Sequence, residues 1–156
     1  MFKLTLVLLA TGTALTTLLA AAGDTPAHTM LAPADIAWGP GPASLPPGAQ
    51  AAVLYGDPKK EGLFAMRLKF PKGYRIPAHT HPKPEVITVI SGAFRLTTQL
   101  DHGPTKALTA GSFAAMQPGL VHQAGADEET VVQLNSTGPW TVTYVNPNED
   151  PRKAAQ

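Results

Sequence analysis

The chain has 156 residues, enough for one domain, and its 44% hydrophobic and 15% charged residues support a packed core and exclude wholesale disorder. A formal net charge of +1 with no basic run leaves no footprint for a phosphate backbone, so nucleic acid is not expected as a partner. The absence of cysteine excludes disulfides, thiolate metal ligands, a cysteine nucleophile and an acylated lipobox, but does not by itself place the protein in a compartment.

The N-terminus does suggest a compartment. Lys3 gives a short positive start, and residues 4–19 are apolar with interspersed threonine. Ala20-Ala21-Ala22 then fits a small-x-small cleavage site ahead of Gly23-Asp24. Residues 1–22 are therefore expected to be a signal peptide and the mature protein to be periplasmic or secreted, with no membrane attachment after cleavage. The competing reading, a membrane anchor, is disfavoured because the apolar stretch is near the lower length limit and is diluted by Thr and Gly.

Residues 23–50 are rich in Ala, Pro and Gly and are expected to form an extended arm. Its Trp38-Gly39-Pro40-Gly41-Pro42 and Leu45-Pro46-Pro47-Gly48 segments are incompatible with helix. Ile36 to Trp38 reads as a short edge strand, and Trp38 as an anchor that packs the arm onto the body.

From residue 51 onward, short strand-like runs follow one another. They are Ala52–Tyr55, Leu63–Phe70, Tyr74–His81, Glu85–Ile90, Ala93–Leu100, Lys106–Leu108, Ser112–Met116, Val121–Ala124, Thr130–Asn135 and Trp140–Asn146. Turn signals separate them, among them Pro71-Lys72-Gly73, His81-Pro82-Lys83-Pro84, Asp101-His102-Gly103-Pro104 and Ser136-Thr137-Gly138-Pro139. With 16 Pro, 14 Gly and no convincing helical run, this pattern predicts an all-β sandwich or small barrel over residues 51–147. A polar tail, 148–156, is expected to fray.

Two segments carry the chemistry. His79 and His81 are two apart on a predicted strand, so both imidazoles leave the same face. A Pro-Lys-Pro turn then places Glu85 at the start of the next strand, where it can face the same cavity. His122 follows the Pro118-Gly119 turn at the head of another apolar run and supplies a third imidazole. Three imidazoles and a carboxylate form a borderline N/O donor set suited to one divalent ion of Fe, Mn, Zn, Ni or Cu, with coordination positions left open. A lone histidine is usually a hydrogen-bonded core or surface residue. Three of five histidines at ligand spacing, with a glutamate at the matching offset, point to metal instead.

The same segments resemble the motifs of the cupin family. The first matches G-x5-H-x-H-x3-E-x6-G at Gly73, His79, His81, Glu85 and Gly92. The second, G-x5-P-x-G-x2-H-x3-N, is met by Gly111, Gly119 and His122. Its proline is displaced to Pro118, with Gln117 in its place, and Ala126 stands where the terminal asparagine is expected. The resemblance implies a double-stranded β-helix, the cupin jelly-roll barrel, and the metal ligands His79, His81, Glu85 and His122. The flanks, Pro77-Ala78-His79-Thr80-His81-Pro82 and Gly138 to Pro147, are also similar to small exported cupins akin to the cupin half of ChrR-like anti-sigma factors.

Arg75 shares strand parity with the two histidines and is a candidate for an anionic substrate, but Pro77 intervenes and the preferred reading is a surface arginine at the barrel rim. Gln117 and Gln133 are candidates for hydrogen-bonding a ligand. Ile87, Val89, Phe94, Leu96, Phe113 and Met116 read as core or barrel lining, and His28, His102 and Asp127-Glu128-Glu129 as solvated. Functionally, a full ligand set in a concave barrel points first to a mononuclear metalloenzyme of dioxygenase or oxidoreductase type acting on a small organic molecule, with Glu85 as a candidate acid or base. Two alternatives stand beside it: a non-catalytic metal or small-ligand binding or sensor module, and a metal-dependent isomerase or lyase. The arm and the habit of cupins to share strands between subunits suggest a homodimer.

Overall fold

The computed structural model describes residues 28–98 and 105–153. The expected signal peptide, the His102 turn and the last residues of the tail lie outside them. Among the described residues there are eleven strands and two single-turn 3-10 helices, Pro33–Asp35 and Pro147–Glu149, and no α-helix. The strands are β1 (Gly39–Pro40), β2 (Gln50–Tyr55), β3 (Gly62–Phe70), β4 (Arg75–Thr80), β5 (Glu85–Ser91), β6 (Ala93–Thr98), β7 (Thr105–Thr109), β8 (Phe113–Met116), β9 (His122–Ala126), β10 (Thr130–Gly138) and β11 (Thr143–Tyr144). They form two antiparallel sheets, ordered β1-β2-β3-β10-β5-β8 and β11-β4-β9-β6-β7. This is the all-β jelly-roll barrel expected from the motifs.

The core lies between the sheets and follows from the period of two. Along β3 the inward residues are Phe64, Met66, Leu68 and Phe70. Opposite them on β10 are Val132 and Leu134. The nine-pair register from Thr130↔Phe70 to Gly138↔Gly62 keeps both inward sets on one face. Each such side chain, fully buried, contributes about 1.5–3 kcal/mol. Phe70 stacks on Tyr74 and Phe94 at centroid distances of 5.0 and 6.1 Å, joining β3 to the second sheet.

Several boundaries differ from the sequence expectation. The edge strand falls on Gly39–Pro40 rather than 36–38, because the pairing partner is Gln50–Ala51 at the start of β2. Trp38 does anchor the arm: its ring lies under the Lys69 ammonium, 4.4 Å from Nζ to the centroid. The arm is more than an appendage, however. Leu45 and Ala49 belong to the core, and the hydroxyls of Tyr74 and Tyr144 donate to the carbonyls of Pro46 and Ser44. β10 runs through the predicted turn as far as Gly138, because β3 continues to offer it a ladder. Of the Trp140–Asn146 run, only Thr143–Tyr144 pairs, with His79–Thr80 of β4. Phe113 is 64% exposed rather than in the core. Met116 fixes the inward parity of β8, so Phe113, three residues earlier, points outward.

Candidate metal centre

His79, His81, Glu85 and His122 converge inside the barrel, and each is 2–4% exposed. One nitrogen from each of the three imidazoles lies within 4.8 Å of the others. The Glu85 carboxylate sits beside them, with Oε1 3.5 Å from Nε2 of His81 and Oε2 3.5 Å from Nε2 of His122.

Local sequence explains each placement. His79 pairs directly with His122, whereas Ile76 pairs with Ala124, so β4 carries one residue more than β9 between these pairs. That is a β-bulge at Pro77-Ala78, where Pro77 has no N–H to give to the ladder. The bulge changes parity. Ile76 and His79 both face inward, and Arg75 faces out on the surface. The surface reading of Arg75 is thus the correct one, and its strand parity with His79 does not carry across the bulge. His81 lies one residue beyond β4, and its carbonyl accepts from Gly119 N–H at 2.9 Å. Gly119 adopts φ +77°, which a glycine takes freely, and this turn delivers His122 to β9. Glu85 opens β5 opposite Met116. The preceding carbonyl, that of Pro84, accepts from the buried Ser136 hydroxyl at 2.6 Å. Ser136 is a positioning residue that sequence reasoning consigned to a turn.

The three imidazoles share one tautomer. Nδ1 of His79 donates to Pro77 O at 2.6 Å, Nδ1 of His81 to Thr141 O at 2.8 Å, and Nδ1 of His122 to Leu120 O at 3.1 Å. A carbonyl can only accept, so each Nδ1 carries a hydrogen, and in the neutral ring it is Nε2 that keeps the lone pair. Burial pushes the His79 imidazole down to about 3, with His122 and His81 adding to the shift. Burial also lowers His81, against the pull of Glu85. His81 is therefore neutral near pH 7, and its 3.5 Å approach to Glu85 is not an ion pair. His81 Nε2 is buried with no hydrogen-bond partner. Lone pairs and a carboxylate facing one another in a buried site are unfavourable unless a cation lies between them. The residues present therefore fit a divalent metal ion.

The surroundings are mostly apolar. The cavity at the four residues measures about 20 Å³ and includes Leu45, Leu68, Phe70, Ile87 and Phe94 in its walls. Trp140 closes one side, its ring stacked on His81 with centroids 5.0 Å apart and 19° between planes. Leu45 and Trp140 are among the residues that sequence reasoning did not place here. Neither candidate glutamine reaches the cavity. Gln133 points away from the cavity and accepts from Arg67 Nε at 3.4 Å, because the inward positions of β10 are Val132 and Leu134. Gln117 is exposed on the turn before His122.

Residues 66–137, which include all four convergent residues, match the Cupin_2 family model, described as Cupin domain. Together with the barrel, this match marks residues 66–137 as a cupin domain. No curated protein matches the chain. Among solved structures, the polyketide cyclase RemF from Streptomyces resistomycificus is similar at 18% identity and a TM-score of 0.63, over 83% of this chain and 93% of that one. The DMSP lyase DddQ from Ruegeria pomeroyi DSS-3 is similar at 19% identity and a TM-score of 0.58, over 73% and 63%. A mutant salicylate 1,2-dioxygenase from Pseudoaminobacter salicylatoxidans, in complex with gentisate, is similar at 17% identity and a TM-score of 0.55, over 67% and 32%. These likenesses establish the fold.

Proposed function

We propose that this protein is an exported cupin that holds one divalent transition metal ion on His79, His81, His122 and Glu85. In this reading it is a mononuclear metalloenzyme of dioxygenase or oxidoreductase type acting on a small organic molecule. The observation that carries the metal reading is the common tautomer: three backbone carbonyls fix three Nδ1 hydrogens and leave three Nε2 lone pairs convergent beside a buried carboxylate. Fe, Mn, Zn, Ni and Cu all suit such a donor set. When bound, the ion supplies Lewis acidity, or electron transfer if it is redox-active.

The chain supplies the rest. The carbonyls of Pro77, Thr141 and Leu120 hold the rings in orientation. The apolar wall excludes bulk water, which strengthens every charge interaction inside. Glu85 is the one carboxylate among the residues facing the cavity, and so the group able to hold or release a proton there. The solved neighbours are named as a cyclase, a lyase and a dioxygenase, so the scaffold does not select the reaction, and metal-dependent lyase or isomerase chemistry belongs to the same reading.

One observation favours a second reading, a metal or small-ligand binding module without turnover. The cavity of about 20 Å³ has room for little beyond an ion or a water, and Trp140 stands across it. The discriminating experiment is elemental analysis of protein taken from its own export compartment, with His79→Ala and His122→Ala variants, followed by oxygen uptake with a panel of small organic molecules. Stoichiometric metal that both variants lose supports the site, and unchanged metal in either variant overturns it. Metal without turnover selects the binding module. Export is checked by N-terminal sequencing of the same preparation, where Gly23 is the expected first residue and an intact Met1 contradicts cleavage. The proposed homodimer is checked by light scattering on a sizing column.

A further inference from the structure

Beside the metal cavity, and separated from it by Trp140, lies a slot of about 580 Å³. One wall is the inward face of sheet edge β2-β3, where Val53 pairs with Met66. Facing it are Trp140 and Thr141. Val53 pairs with the inward-facing Met66 yet is 51% exposed, because it borders the open slot. The slot's size is that of a small-molecule site.

Lys59 and Arg152 line it, and no acidic side chain does. Arg152 is already neutralised by Asp150, whose Oδ1 and Oδ2 lie 2.7 Å from its Nε and Nη2, and Nη2 also donates to Val142 O at 2.9 Å. Lys59 has no ion pair among the described residues, so it is the uncompensated cation of the slot. Apolar walls with one unpaired cation at the rim are complementary to an apolar body bearing one anionic head. The slot also touches the metal cavity twice. Trp140 forms the shared wall, and the Thr141 carbonyl accepts from His81 Nδ1.

We propose that this slot is a binding site for a small amphipathic carboxylate, with its body against Val53, Met66 and the outer face of Trp140 and its head at Lys59. The site does not need the metal, and its test is run on metal-free protein so that its outcome is independent of the metal reading. Trp38 and Trp140 are the two tryptophans of the chain, so Trp38→Phe leaves Trp140 as the reporter.

The mature Trp38→Phe protein is titrated with octanoate and with octylammonium, which has the same body and the opposite charge. Octanoate is expected to change Trp140 emission saturably and to bind at least about fivefold tighter than octylammonium, the scale of a partly exposed ion pair. Adding Lys59→Glu is expected to remove that preference, and adding Val53→Glu at its half-exposed position to abolish the octanoate response while the circular dichroism spectrum is retained. Three results overturn the proposal: no saturable change with octanoate, equal binding of the two probes, or an octanoate response unaltered by Val53→Glu.

Discussion

His79 on β4 and His122 on β9 are direct cross-strand partners, with ring centroids 4.1 Å apart. Two imidazoles this close, each with a ring nitrogen within 4.8 Å of the other's, act as a unit rather than independently. The double variant His79→Ala/His122→Ala is therefore expected to bind no less metal than either single variant, because each single loss already dismantles the set. Glu85→Gln keeps the shape and removes the charge, and metal affinity is expected to fall by about tenfold or more with the fold intact. Isothermal titration with Zn, Ni and Mn measures both.

The buried imidazoles make the metal-free protein acid-sensitive. His79 titrates in the folded state at about 3, below its ordinary value of 6.5, so between those values the unfolded chain binds the extra proton. Its contribution to stability is complete above pH 6.5 and is lost as pH falls towards 3. Tm of the apo protein is expected to fall across that window. A His79→Gln variant should show a shallower fall, and a parallel fall contradicts the assignment.

Trp140 walls off the cavity without being fully buried. Trp140→Ala is expected to cost about 2 kcal/mol, less than truncation of a core aromatic. It should also join the cavity to the outer slot. Release of bound metal to a chelator is then expected to speed up, whereas Trp140→Phe preserves the stack and slow release. Stopped-flow chelation with a coloured ligand reads this directly.

All four motif glycines have positive φ, and two of them, Gly92 and Gly111, differ in what surrounds them. At Gly92, φ +80°, an added Cβ lies 2.4 Å from Glu129 O and 2.5 Å from Thr130 Oγ1. At Gly111, φ +85°, nothing lies within 4 Å. Gly111→Ala is expected to cost about 1 kcal/mol from backbone conformation alone, and Gly92→Ala more than about 3 kcal/mol because it adds overpacking. Denaturant unfolding of both variants checks the order.

Leu45 tests the arm. It is 5% exposed and lines the metal cavity, although it precedes the recognisable motif region. Leu45→Ala is expected to cost about 2–3 kcal/mol. A chain begun at residue 51, which also loses Ala49 and the carbonyl acceptors for Tyr74 and Tyr144, is expected to unfold at a markedly lower temperature.

The sequence by itself determined the strand-rich class and the four residues of the site. Alternation and turn residues are local signals, and ligand spacing on adjoining strands is set by the pleat. Tertiary structure decided what depends on neighbours distant in the chain. The bulge at Pro77 sent Arg75 outward, because parity is kept only while the ladder is regular. The partner strand β3 carried β10 through a stretch whose composition signals a turn, and so placed Ser136 under Pro84. Trp140 and Leu45 reach the cavity from segments with no regular period, so no pattern in the chain marks them. His79, His81 and Glu85 were legible because their spacing is local, and His122 through its place in the second motif. The wall that governs access to these residues was not, because it forms only when the arm and the C-terminal segment close over the barrel.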